Sequence, residues 1–484
     1  MPNTIESHHF TKFKQIFWPI HDHEKRRFLL ISFLMFCTLF NQNILRILKD
    51  SVLISEVSVE IISFTKVYCV TPLAALFVII YANMLNHLSF ERIYYILISV
   101  FVGVFLIFAF IIYPNIDYFH MDQLTLDQLM YDHPHWKWYI ALIGNWSYAI
   151  FYTFSELWPN IFYVLLFWQF ANSLTTTEEA KRFYTLFSLF GNSSLIVVGL
   201  LMMILPSCND KIVLIQISVL LVTIAAFISC IMIKTITSSH SNNTIRAKHP
   251  SKKHKMSILE SFRFIARSRY LWLMLICSAS FGLAMNLVES VWKSKIKELY
   301  STLNTYAQFH GEYILWTGVV IMIMTIIGNN IMRRYGWLVS AIISPMIIMI
   351  TGIIFFVLIV FDDTIAESFD YFIVISPLAL SVFIGAIQNI LAKGTKYSMW
   401  DTSREMLYIP LDEELKTKGK ASVDVISSKI GKSCSGIIYS VIFTIAPAAT
   451  FGSISSILMF IFIAVCVLWI DAIKKIFVEY KKIV

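Results

Sequence analysis

Charge is what this sequence has least of: only 14% of its 484 residues are Asp, Glu, Lys or Arg, against roughly a quarter in soluble domains. A globule this long could bury a large core, but it would need polar surface to cover it. That surface is missing. With 57% hydrophobic residues, 15% aromatics and a mean hydropathy of +0.69, lipid is the natural solvent for the chain. The seven cysteines (Cys37, Cys69, Cys208, Cys230, Cys277, Cys434 and Cys466) form no Cys-x-x-Cys pair and no metal-ligand spacing. Most fall inside apolar runs, so they read as small core residues and fix no redox compartment. The first 28 residues lack an apolar stretch followed by a small-residue cleavage site, so a removable signal peptide is not expected. A phosphate loop is missing too. The GKS at 431–433 has Ile426 where that loop needs a glycine. No nucleophile or metal constellation gathers on one membrane face, so neither an enzyme nor a cofactor is expected. His133, Pro134 and His135, with His120 and Asp132 nearby, match no strong metal motif and read as solvated loop histidines.

What the sequence does have is long apolar runs. A spanning helix needs about 20 mostly apolar residues, because only a helix satisfies its own backbone in hydrocarbon. Such runs occupy 28–45, 61–81, 93–113, 138–171, 183–205, 212–233, 270–288, 313–331, 337–361, 372–391, 423–447 and 451–470. The run 138–171 is too long for one upright crossing and carries Glu156 and Pro159 in its middle. It is either one tilted, kinked helix or two short ones, and the loop charges favour one. The expectation is an all-α polytopic membrane protein of about twelve spans. It divides into six-helix halves, 1–233 and 270–484, joined by a basic linker at 234–269.

The formal net charge of +8 reads as a cytoplasmic excess of Lys and Arg, not as a nucleic-acid footprint. Lys12, Lys14, Lys25, Arg26 and Arg27 precede the first span. Arg246, Lys248, Lys252, Lys253, Lys255, Arg263, Arg267 and Arg269 lie in or at the end of the linker. Arg333 and Arg334 follow the eighth run, and Lys474, Lys475, Lys481 and Lys482 end the chain. Twelve spans put all of them on one side, with both termini cytoplasmic. The acids Asp117, Asp122, Asp127 and Asp132, and then Asp362, Asp363, Glu367 and Asp370, fall on the other side. Lys293, Lys295 and Lys297 break the rule by lying on the acidic side: either they act on an anion or the seventh helix extends outward with solvated lysines. The basic HPSKKHK of the linker touches anionic lipid or is simply a connector.

The halves echo each other weakly. FGNSSLIVVGLLM in the fifth run resembles IGKSCSGIIYSVI in the eleventh, and Glu178–Glu179 and Glu413–Glu414 precede them with basic residues following. Repeated halves of this kind place a transport site where they meet.

Charges inside spans cost ~2.5–3.5 kcal/mol each on insertion scales, so they face a partner or a watery cavity. Arg46, at helical spacing from Lys49 and Asp50, makes a cationic cluster at the end of the first span, or an interfacial salt bridge. Glu156 lies deep in the fourth span. Glu289 ends the seventh, opposite Lys49 in the other half, and together they suggest a gate that substrate breaks, or a permanent pair. Lys432, beside glycine and serine in the eleventh span, suits phosphate as a point charge, or is an edge lysine. Lys393 and Lys396 end the tenth span and are either ligands or edge lysines.

Ten segments resemble the ATP/ADP translocases, the nucleotide transporters of obligate intracellular bacteria and plastids: FWPI, LRILKDSVLISE, ISFTKVYCVTP, FYTFSELWPN, LLFWQFAN, EEAKRFY, NLVESVWKSKIKELY, IGAIQNILAKGTKYS, YIPLDEELKTKGKA and IGKS. The likeness covers essentially the whole chain. It implies a major-facilitator-like fold of twelve helices and balanced exchange of host ATP for bacterial ADP across the bacterial inner membrane, without hydrolysis. The family's functional charges map onto Lys49, Glu156, Glu289 and Lys432. Where the family is glycine-rich after GKS, this chain has Cys434 and Ser435, a departure that bears on nucleotide preference.

The expected partners are therefore ATP and ADP as cargo and the lipid bilayer, with no nucleic acid, and the expected unit is a monomer. Lys49 and Lys432 would offset phosphate charge, each worth about 4 kcal/mol per unit charge at 4 Å and an effective dielectric near 20. Glu156 and Glu289 would hold the lysines when no nucleotide is bound, and Asn192 or Gln388 would contact the base. The alternatives are a paralogue exchanging GTP, UTP or CTP, a proton-coupled importer using Glu156 or Glu289, and a non-transporting homologue.

Overall fold

Hydrocarbon offers a backbone no hydrogen-bond partners, so a chain this apolar must pair its own peptide groups locally. The computed structural model describes residues 20–208, 210–240, 268–361, 376–411, 423, 427 and 434–483, and among these all regular structure is helical. Lys432 and Glu413–Glu414 lie outside the described residues. So do Lys12, Lys14, the acids Asp362, Asp363, Glu367 and Asp370, most of the linker with its basic residues from Arg246 to Arg267, and most of 423–434.

Eleven helices are long and apolar enough to cross a membrane. They are α1 (Lys25–Glu56), α2 (Ile61–His87), α3 (Phe90–Phe119), α4 (Trp146–Leu174), α5 (Thr177–Ile204) and α6 (Lys211–Ser238), followed by α7 (Arg269–Leu299), α8 (303–335), α9 (337–360), α10 (Pro377–Met406) and α12 (Ser455–Ile483). The shorter α11 (Ser435–Ile445) stands in the eleventh expected run. Their outer flanks carry exposed side chains such as Ile79, Phe227, Ile326 and Phe460, which suit lipid contact.

Hydroxyl caps start several helices. Ser268, Thr302 and Ser376 accept from the backbone N–H three residues on, and Thr176 with Glu179 forms a capping box at α5. Gly336 divides α8 from α9 with φ +81°, a backbone setting that only glycine takes without strain.

The run 138–171 divides. Lys137–Gly144 forms its own short helix, Asn145 leaves helical geometry, and α4 begins at Trp146. Asn145 ends the turn by donating from both its backbone and its side chain to the Ala141 carbonyl. The crossing itself is one helix. Pro159 does not break it, because it opens a wide π-helical stretch, Pro159–Phe167, where the usual ladder already shifts.

In lipid, helices associate by close packing, and small residues allow it. A Cβ on Gly199 of α5 would lie 2.5 Å from the Leu315 Cβ of α8, and one on Gly311 of α8 would lie 2.8 Å from Met202 of α5. These contacts, together with those of α11 against α2 and the His135 ring against the Thr444 carbonyl at 2.8 Å, join the first six spans to the last six. They lie toward the face where α1 ends, termed here the far face. At the opposite face, where α1 begins, the ion pairs brace one half at a time. Arg182 bonds Glu24 through both nitrogens at 2.9 and 2.7 Å, Arg27 pairs with Glu179, and Arg269 approaches Glu479.

Candidate functional site

The apolar run of the first span stops at Leu45, yet α1 continues through RILKDSVLISE to Glu56. Lys49 and Asp50 are therefore helical, about 9–10 Å below the far end of α1 at 1.5 Å per residue. Both are buried, at 5% and 1% exposure. Buried ions cost several kcal/mol each unless paired, and these are paired densely.

Lys49 Nζ donates to Asp50 at 2.8 Å and lies 3.1 Å from Glu156 of α4 and 4.2 Å from the Tyr152 ring centre. The second Asp50 oxygen lies 3.0 Å from Lys293 of α7. Lys293, also 5% exposed, reaches Glu289 at 3.1 Å, and Glu289 stands 3.9 Å from Arg46 of α1. The result is a continuous chain, Glu156–Lys49–Asp50–Lys293–Glu289–Arg46, that crosses twice between α1 and α7.

The structure thus gathers four of the predicted residues, Arg46, Lys49, Glu156 and Glu289, into one network. Their pairing differs from the expected one. Glu289 takes Lys293 and Arg46, while Lys49 takes acids of its own half. Asp50 opens a DSV at 50–52 and Glu289 an ESV at 289–291, and Lys293 sits between these two carboxylates. Lys293 is thus part of the network, not a solvated lysine. Its neighbours also have partners: Lys297 donates to the Ser55 carbonyl at 2.8 Å and Lys295 pairs with Glu298.

Lys393, on α10, donates to the Tyr313 hydroxyl of α8 and lies 4.8 Å from that ring's centre. It forms no ion pair among the described residues. Lys396 pairs with Asp401 at 2.8 Å. The network holds three acids and three bases, and Lys393 stands outside it with no carboxylate partner among the described residues. A second such lysine was missed from sequence: Lys66, inside the apolar run 61–81, lines a cavity with Glu289 and Lys293. Its signal was visible as a lone lysine within a span.

Gln388 of α10 is fully buried, with neither amide atom hydrogen-bonded among the described residues, and Asn192 of α5 is half-buried. Among the described residues no three His, Cys, Asp or Glu side chains cluster as a metal site would require. An ionic seam with further lysines beside it gathers basic groups where α1 and α7 meet, a chemistry suited to an anionic group.

A family model described as TLC ATP/ADP transporter matches residues 3–480. A relative from Rickettsia bellii (strain RML369-C) named ADP,ATP carrier protein 5 is 63% identical over all of both chains. ADP,ATP carrier protein 5 of Rickettsia prowazekii (strain Madrid E) is 60% identical, again over all of both. ADP,ATP carrier protein 4 of Rickettsia conorii (strain ATCC VR-613 / Malish 7) is 40% identical over 98% of this chain and 95% of that one. Among solved structures, a bacterial homologue of the iron transporter ferroportin in its inward-facing state is similar with a TM-score of 0.63 at 12% identity, covering 94% of this chain and 99% of the other. The nucleoside transporter NupG gives a TM-score of 0.51 at 13% identity, with 94% of this chain and 98% of the other covered. At such identities these structures show the fold alone. The chain belongs to the TLC ATP/ADP transporter family and is a multi-pass membrane carrier with a major-facilitator-like fold.

Proposed function

We propose that this chain is an antiporter that exchanges host ATP for bacterial ADP across the bacterial inner membrane by alternating access, with both termini cytoplasmic. The halves 1–233 and 270–484, joined by the linker 234–269, rock about a site to which Arg46, Lys49, Glu156, Glu289, Lys393 and Lys432 contribute. The names of the relatives support the cargo, and the Lys and Arg pattern supports the orientation.

One observation carries the reading: the seam Glu156–Lys49–Asp50–Lys293–Glu289–Arg46 ties α1 to α7 through the buried pair Asp50–Lys293 and the partly exposed pair Glu289–Arg46. In the conformation described, the halves touch toward the far face, here the periplasmic one. For that face to open, Asp50 must part from Lys293 and Glu289 from Arg46. An empty carrier would then hold uncompensated charges in a low-dielectric slab, at a cost of several kcal/mol. A bound polyphosphate compensates the cations as the carboxylates leave. Only a ligand that favours the switching state over the resting one lowers that barrier, so loaded carriers cross and empty ones do not. That is obligatory exchange, and it breaks no phosphoanhydride bond.

Proteoliposomes test this. Vesicles preloaded with ADP should accumulate external labelled ATP, and vesicles loaded with buffer should take up far less. Equal uptake by both would overturn the exchange mechanism. Competition by unlabelled GTP, UTP and CTP in the same vesicles measures base preference, and inhibition by one of them stronger than by ATP would reassign the cargo.

A further inference from the structure

Lys66 stands in α2 at the start of a π-helical stretch, Lys66–Val70, about 8 Å below the far end of the helix at 1.5 Å per residue. π-helical turns interrupt the regular ladder and recur at functional positions. The lysine is only partly exposed. It lines a cavity walled by three helices from both halves: α2 through Ser63 and Lys66, α7 through Asn286, Glu289, Ser290 and Lys293, and α11 through Ser435. Val59 and Phe451 also line it. At its edge α2 and α11 come close, since a Cβ on Gly436 would stand 3.2 Å from Val67.

Lys66 forms no ion pair among the described residues. Among the described residues Glu289 is the one carboxylate lining the same cavity, and it is already engaged by Lys293 and Arg46. A lysine with no ion-paired carboxylate among the described residues is costly at this depth, and an anion brought to it in a partly desolvated site is held more strongly than in water. Lys49, Lys293 and Arg46 must each abandon a carboxylate to hold an anion. Lys66 has no carboxylate to abandon among the described residues.

We infer that Lys66 receives the terminal phosphate of the nucleotide, in a subsite between α2, α7 and α11 that is separate from Lys49 and Glu156. The inference rests on the nucleotide-exchange reading and deepens it. The surroundings fit a tetrahedral phosphate: the ammonium supplies three donors, and the hydroxyls of Ser63, Ser290 and Ser435 rotate to donate to phosphate oxygens. Because the subsite draws on both halves, a phosphate in it meets groups that move relative to each other during the transport cycle. Lys66 thereby couples the length of the phosphate chain to the state of the far face.

The experiment uses purified full-length protein and three forms: the parent, K66Q and K66R. Thermal-shift titrations with ATP, ADP, AMP and adenosine give apparent affinities. The expected result is that K66Q weakens ATP and ADP about tenfold, the scale of one lost charge-assisted contact, leaves adenosine unchanged, and narrows the preference for polyphosphates, whereas K66R keeps most of the parent's preference. Without ligand, K66Q should melt no lower than the parent, because it removes an ammonium that forms no ion pair among the described residues. Equal ATP and ADP affinity in K66Q and a nucleotide-binding parent overturns this inference alone. So does equal weakening of adenosine, or a lowered unliganded Tm in K66Q that K66R restores. A parent that binds no nucleotide overturns the exchange reading and this inference together.

Discussion

Asp50 and Lys293 meet at 3.0 Å across the boundary between the first six spans and the last six, both almost fully buried. Asp50 gives its other oxygen to Lys49, its neighbour in the chain, at 2.8 Å. One carboxylate therefore holds a lysine from each half, and whatever separates the halves at this face must first take over one of those lysines.

Removing the acid alone leaves two buried cations facing each other. D50N is expected to lower stability by ~3–5 kcal/mol, the usual cost of breaking one side of a buried pair, and to abolish exchange. The double variant D50N/K293M should recover most of the stability, since well-packed neutral replacements are tolerated, but not exchange. Denaturation midpoints in detergent and uptake by proteoliposomes measure the two effects. Parent-like exchange in stable D50N would remove Asp50 from the transport cycle.

The crossing of α5 and α8 depends on absent side chains. A Cβ at Gly199 would press on Leu315 at 2.5 Å, with its backbone nitrogen only 2.7 Å away, and overpacking typically costs about 1–3 kcal/mol. G199V should therefore push the halves apart at the far face. In a chain stripped of its native cysteines, a single cysteine placed at Ser63 should react faster with a polar maleimide in G199V than without it. Identical labelling rates would mean the helices absorb the strain without opening.

Glu24, just ahead of α1, is buried, which pushes its carboxyl up, but two hydrogen bonds from Arg182 and one from the His21 N–H outweigh that. The net result holds it below its ordinary value of 4.5. A depressed folded-state pKa contributes stability that is complete above the unfolded value and lost as pH falls through the folded one. The parent should therefore lose part of its Tm below about pH 4.5. E24Q should start about 2 kcal/mol lower at neutral pH, the scale of a hydrogen bond to a charged group, and show a flatter acid limb. Parallel pH profiles would assign the acid sensitivity to other carboxylates.

Lys393 and Tyr313 separate charge from hydrogen bonding. If the ammonium serves nucleotide while the phenol merely holds it, K393Q should raise half-saturation about tenfold and Y313F by roughly threefold, following 1.4 kcal/mol per decade and ~0.5–1.5 kcal/mol for the hydroxyl's hydrogen bond. Initial rates of ATP uptake across a concentration series measure both. A larger effect from Y313F than from K393Q would make the phenol, not the lysine, the ligand.

The all-helical, many-span character and the approximate centres of eleven of the expected runs were legible in the sequence, because the cost of placing a peptide group or an ion in hydrocarbon falls locally, residue by residue. Run 337–361 became α9 with its break at Gly336, and Arg46, Lys49, Glu156 and Glu289 could be singled out as ions inside spans. Three-dimensional arrangement decided the rest. Asn145 separates a short helix from α4 because Asn145 can satisfy the Ala141 carbonyl, and Pro159 is absorbed by a wide turn; periodicity reports neither. Pairing was decided later still. Lys293 and Lys66 look alike as lysines in apolar surroundings, yet one lies between two carboxylates and the other faces a cavity. Composition sets what a charge costs, but the distance to its counter-charge is fixed only when helices far apart in the chain pack side by side.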